Sequence, residues 1–104
     1  MRILLATEPV DGRLSFNALY ALVQNRLGAD PLSGQLYVFT NRRRNRLKLL
    51  FFDGSGLWLC TKRLERGRLG WPQGAGPGAP LRPEALWALV HGLETQSRRG
   101  WYRR

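Results

Sequence analysis

Acidic side chains are scarce in this chain: seven carboxylates stand against seventeen lysines and arginines. The shortage bears on catalysis first. Two-metal phosphoryl transfer needs several carboxylates converging on ions roughly 3.5–4 Å apart. Here Glu8, Asp11, Asp30, Asp53, Glu65, Glu84 and Glu94 are scattered, and most have structural explanations. Asp11 is placed to cap a helix, Asp53 opens a turn, Glu84 sits where a helix dipole favours an acid, and Glu65 balances basic neighbours. Histidine and cysteine occur once each, as His91 and Cys60. No nucleophile–base–orienter set can be assembled with a single histidine, and no metal site with so few ligands. One cysteine also rules out an internal disulfide and fits a reducing cytoplasm. Apolar runs are short, and none approaches the 18 residues a bilayer span requires. The run Arg2–Ala6 stops at Thr7–Glu8–Pro9, too short for an export signal, and reads as a strand. The expectation is a cytoplasmic protein that is not an enzyme and has no cofactor, metal or membrane span.

What the chain does have is concentrated positive charge. It carries +10 over 104 residues, with a pI near 11.4. Between residues 42 and 68 stand nine basic side chains (Arg42, Arg43, Arg44, Arg46, Lys48, Lys62, Arg63, Arg66 and Arg68) against two acids. Arginines packed this closely repel one another unless an anion shares the charge. A polyanion, foremost a nucleic acid, is the default partner. On charge alone a membrane-surface role stays open. The preference for Arg over Lys suits forked, two-bond binding of phosphate.

The apolar pattern sets the frame around this charge. Arg2–Ala6 reads as a first or edge strand. Phe16, Leu19, Tyr20, Val23 and Leu27 recur at helical spacing behind an Asp11 cap, and Gly28 suits a left-handed helix end. Gln35–Thr40, Leu47–Phe52 and Leu57–Arg63 read as three strands. Asp53–Gly54–Ser55–Gly56 links the last two as a tight turn. It lacks the Lys-Ser/Thr ending and following helix of a phosphate-binding loop. Three glycines and three prolines in Pro72–Pro80 leave no room for a packed element. Pro83 then starts a second helix with Leu86, Leu89, Val90 and Leu93 on its apolar face. A basic tail, Ser97–Arg104, follows. The expected fold is α+β: a small antiparallel meander sheet of three to four strands packed against one helix, with a C-terminal helix after a Gly/Pro linker. The expected division is a basic domain over 1–71, a linker over 72–81 and a helix with basic tail over 82–104.

In a meander, the first hairpin and the end of the third strand lie at one end of the sheet. Arg42, Arg43, Arg44, Arg46, Arg66 and Arg68 are therefore expected to form one surface patch, with Lys48, Lys62 and Arg63 nearby. Trp71 beside it either stacks on an exposed base or packs under the loop as a core residue. The alternative for the arginines themselves is a solvated loop. Both faces of the strands carry apolar residues, so either both faces are covered or one meets a partner.

The linked segments Asp30–Phe39, Asn41–Leu50, Asp53–Leu57, Lys62–Arg68 and Trp71–Pro72 closely resemble the TnpB (Orf2) accessory protein of bacterial insertion sequences of class sixty-six. The resemblance covers roughly residues 3–72 and, more loosely, the Leu86–Leu93 helix. This chain departs from the pattern at Asp11–Gly12–Arg13–Leu14, where the family more often has Asp-Met-Arg-Lys. The resemblance implies an accessory component of a transposition system, working beside a separate transposase that carries the catalytic acids. Two main readings follow. One is a protein that binds double-stranded DNA, at element ends or target, and helps assemble the transposase. The other is an interaction module that self-associates as a homo-oligomer or docks on the transposase. An enzyme in its own right is a third and weaker reading.

Overall fold

The computed structural model describes residues 2–72 and 76–91. Its elements run β1 (Ile3–Ala6), α1 (Phe16–Asn25), β2 (Leu36–Thr40), β3 (Arg46–Phe52), β4 (Leu57–Arg63), β5 (Gly78–Pro80) and α2 (Pro83–Val90). The α+β class is as expected, and β2, β3 and β4 form the expected antiparallel meander. The sheet itself is larger and mixed. Among the described residues it has five strands in the order β4-β3-β2-β1-β5, and β1 pairs parallel to β2. β5 pairs antiparallel to β1, Leu5 opposite Ala79. The expectation of no packed element across Pro72–Pro80 is thus corrected at its end. A three-residue edge strand is one of the places where a sheet tolerates proline, because only one of its sides must donate to a ladder.

Period-two alternation puts apolar residues on both faces, and each face is covered by its own helix rather than by one helix in all. Leu19 and Val23 of α1 pack with Ala6, Tyr37, Phe39 and Leu50. On the opposite face Leu89 of α2 packs with Ile3, Leu5, Val38 and Leu47, joined by Leu69 and Trp71 from the loop after β4.

Local signals explain the ends. Asp11 does not cap α1; Ser15 occupies the cap position, without a side-chain bond. The Asp11 carboxylate instead accepts from the Arg13 amide at 2.9 Å, a short-range turn that competes with helix capping. Gly28 takes the expected left-handed conformation, with φ 61°, and the next amide, of Ala29, returns to the Val23 carbonyl at 3.1 Å. The Asp53 carboxylate accepts from the amides of Ser55 and Gly56 across the β3–β4 turn. Pro83 occupies the first turn of α2 as expected. Leu93 and the tail Ser97–Arg104 lie outside the described residues.

Candidate nucleic-acid interface

The arginine cluster is a turn before it is a charge. The Arg44 amide donates to the Asn41 carbonyl at 3.0 Å, closing a four-residue turn between β2 and β3. Asn41 holds the inside of that turn. Its Oδ1 accepts from the amides of Asn45 and Arg46, and its Nδ2 donates to Asn45 Oδ1 at 2.7 Å. With its polar interior satisfied by asparagines, the loop leaves the side chains of Arg42 and Arg43 in solvent. Arg44 sits at φ 58°, among the described residues the sole non-glycine residue in the left-handed region.

The loop after β4 is stitched to this turn by main-chain bonds. The Leu64 amide donates to the Asn45 carbonyl at 2.7 Å, and the Leu69 amide to the Arg44 carbonyl at 2.7 Å. Arg68 Nε reaches the Arg43 carbonyl at 3.3 Å. The 42–46 and 66–68 segments therefore share one end of the sheet, as the meander topology implies. Arg66 and Arg68 are exposed there. A concavity of about 310 Å³ lies between the two segments, bordered by Arg43, Asn45, Gly67 and Arg68.

The parallel pairing of β1 with β2 adds a third segment that the sequence reading left out. Parallel neighbours end on the same side, so the loop after β1 arrives beside the loop after β2. The Val10 amide donates to the Thr40 carbonyl at 2.8 Å, and Val10 bridges to Asn41. Gly12 comes so close that an added Cβ would lie 3.2 Å from Arg46 Cδ and 3.3 Å from Asn41 Cβ. This approach presents Arg13, which chelates Asp11 through two bonds of 3.2 and 3.0 Å. The Arg13 guanidinium, followed by its backbone amide, holds the Asp11 carboxyl down at about 2, so it stays ionised. Gly12, Arg13, Asn41, Arg43, Asn45 and Arg46 line a second concavity of about 570 Å³. Arg43 borders a third, of about 390 Å³, with Pro9–Gly12. Only the tertiary pairing of β1 and β2 reveals Arg13; its one sequence signal is its charge within the Asp11–Leu14 segment.

The remaining candidates separate. Lys48 is 8% exposed, and its Nζ donates to the Leu14 carbonyl at 3.0 Å. Burial, and secondarily Arg46, lowers its pKa. It ties β3 to the segment entering α1, and its ammonium is taken up by that bond. Trp71 is 5% exposed, and its Nε1 donates to the Ala6 carbonyl at 2.8 Å. Of the two readings of Trp71, the core reading holds: its ring faces protein, not solvent. Lys62 Nζ donates to the Val90 carbonyl at the end of α2, and Arg63 lies 3.6 Å from the Glu65 carboxylate. Arg46 is half-buried, with a long bond of 3.4 Å to the Gly12 carbonyl. His91 stacks against Trp87 with ring centroids 4.2 Å apart. Among the described residues, no group of three or more His, Cys, Asp or Glu side chains is placed to hold a metal ion. No described helix is long and apolar enough to cross a membrane.

A mixed five-stranded sheet covered by a helix on each face, with guanidinium groups from three loops at one end, defines a small basic α+β protein. A family model described as "IS66 Orf2 like protein" matches residues 1–100, and the chain belongs to that family. The family is one of accessory proteins of insertion sequences, which ties the chain to a transposase system. Two relatives come from Sinorhizobium fredii. "Uncharacterized protein y4jC" is 43% identical over 94 residues, covering 90% of this chain and 80% of the relative. "Uncharacterized protein y4hO" is 39% identical over 94 residues, covering 90% and 82%. No solved structure matches the chain.

Proposed function

We propose that this chain is a non-catalytic, cytoplasmic accessory protein that binds double-stranded DNA through the arginine-lined end of its sheet and helps assemble a separate transposase there. One observation carries the reading. Main-chain bonds from Leu64 and Leu69 to Asn45 and Arg44 gather Arg42, Arg43, Arg44, Arg66 and Arg68 on one surface. Glu65, adjacent to Arg66 in sequence, and Asp11, which borders one concavity with Arg42 and Arg43, are each already engaged by an arginine. Such a surface suits contacts to phosphates, which fix position on a duplex without reading its sequence. Arg13 joins the footprint; Lys48 and Trp71 serve as scaffold. Lys62 and Arg63 lie at its margin.

The test is a salt-titrated binding curve on element-end DNA beside a scrambled duplex. With 6–10 phosphate contacts, affinity falls by about 10³–10⁵ between 50 and 200 mM salt. Replacing Arg42, Arg43 and Arg44 with alanine weakens binding equally on both duplexes and flattens the slope by about 0.9 for each phosphate left without its arginine. A loss confined to the element end would mean that the arginines read guanine edges. A triple variant that binds DNA like the parent but no longer captures the transposase would favour the second reading, an interaction module. That reading has its own support in Trp58 and Trp87, which are 58% and 60% exposed.

A further inference from the structure

β4 is the outermost strand at one side of the sheet, and no described residue pairs with its outer edge. Proteins usually blunt such an edge with proline, bulges, short length or distributed charge. β4 has none of the first three: it runs seven residues, Leu57–Arg63, in unbroken register with β3. Its charge is confined to one end, at Lys62 and Arg63.

The residues on this edge are presented rather than hidden. Trp58, Cys60 and Lys62 lie opposite Phe51, Leu49 and Leu47 of β3, on the α2 face of the sheet. Cys60 is exposed, and Trp58 remains 58% exposed. The indole is also fixed, because its Nε1 donates to Asp53 Oδ2 at 2.8 Å. That bond, ahead of the amides of Ser55 and Gly56, keeps the Asp53 carboxyl well below the usual carboxylate range, so the anchor persists at all moderate pH. A large aromatic ring held outward loses little freedom when it is covered.

We propose that β4 pairs antiparallel with β4 of a second copy of this chain, about a two-fold axis at Cys60, joining two sheets into one of ten strands. The strand's self-complementary pattern points to this occupant, and charge selects the direction. A parallel, in-register pairing stacks Lys62 and Arg63 against the same residues of the second copy, and like charges directly opposite are destabilising. Antiparallel pairing about Cys60 sets Trp58 against Lys62 of the second copy, and Leu57 against Arg63. Each basic residue then meets an apolar one, all seven residues are paired, and the contact is self-complementary as a two-fold interface requires. The inference stands apart from DNA binding, since the arginine-lined ends of both copies stay free.

Sedimentation of the full chain at rising concentration tests it. A species of twice the 11.9 kDa chain mass is expected. Mild oxidation should then link the copies through Cys60, the chain's one cysteine. Cys60→Lys places two ammonium groups at the axis of an exposed position, and Trp58→Glu removes the anchor on the same edge. Either should shift dimerisation at least tenfold to higher concentration, with the circular-dichroism spectrum kept. Spin labels on Arg63→Cys in a Cys60→Ser background report direction. Antiparallel pairing separates position 63 of the two copies by about 20 Å along the strands, from a rise near 3.3 Å per residue, whereas parallel pairing brings them together. A chain that stays monomeric, a dimer indifferent to both edge variants, or labels in close contact would each overturn the proposal. So would an edge that captures only the transposase.

Discussion

Arg44 holds a backbone conformation that favours glycine, at φ 58° in the turn between β2 and β3. For a residue with a Cβ the left-handed region costs about 1–2 kcal/mol. Glycine there removes the strain but loses more entropy on folding. Arg44→Gly should therefore raise unfolding stability by up to about 1 kcal/mol, read as a higher denaturant midpoint at unchanged slope. The same change should weaken DNA binding, so stability and affinity move in opposite directions at one residue. Lys48 is expected to do the reverse. Lys48→Ala removes a buried stem and the bond to the Leu14 carbonyl, which should cost about 1–3 kcal/mol. Duplex affinity, measured well below the melting temperature, should change less than twofold, because this charge points inward. Two basic residues four positions apart thus have opposite roles.

The loop carrying the charge is an element in its own right, and Asn41 is its internal brace. Asn41→Ala leaves every arginine in place but removes the acceptor shared by the Asn45 and Arg46 amides. It should cost about 1 kcal/mol of stability and lower duplex affinity severalfold, with broadened backbone resonances for residues 41–46 by nuclear magnetic resonance. What was legible in the sequence was local. Alternating apolar residues and the Asp53–Gly56 turn announce β2, β3 and β4, and helical spacing with Gly28 announces α1. What was not legible depends on distant pairing. Nothing in Ile3–Ala6 says that it lies parallel to β2, and Gly78–Pro80 becomes a strand only because β1 offers an edge. The arginine patch was readable because one meander makes it. Arg13 was not, because its place follows from the parallel pair. The burial of Lys48 was not legible, and Trp71 stayed open between two readings, for a related reason: alternation within a strand or loop does not say how deep a neighbouring segment buries it. The Trp71 ring reaches past its own loop to the Ala6 carbonyl.

At the scale of the whole molecule, charge within the described residues is polarised rather than spread. Among the described residues, guanidinium groups of three loops gather at one end of the sheet with few acids between them. The folded state therefore carries a self-repulsion that salt screens over a Debye length of about 10 Å at 0.1 M. The free chain should melt at a higher temperature as sodium chloride rises from 10 to 200 mM. The Arg42, Arg43, Arg44 to alanine variant should show a smaller rise. Scanning calorimetry at fixed pH and protein concentration reads both.

The two loops at that end are joined by amides and carbonyls, at Leu64 with Asn45 and at Leu69 with Arg44. Bonds of this kind belong to the backbone and are indifferent to which side chain each residue bears. The frame is thus separable from the cargo. Individual arginines are free to be lost, gained or moved to a neighbouring position over evolutionary time, as long as the asparagines and the chain path persist. Related chains should accordingly keep the shape of this end while shuffling the positions of its charges. For an engineer, the same separation makes the surface a cassette whose charge can be dialled residue by residue without redesigning the fold.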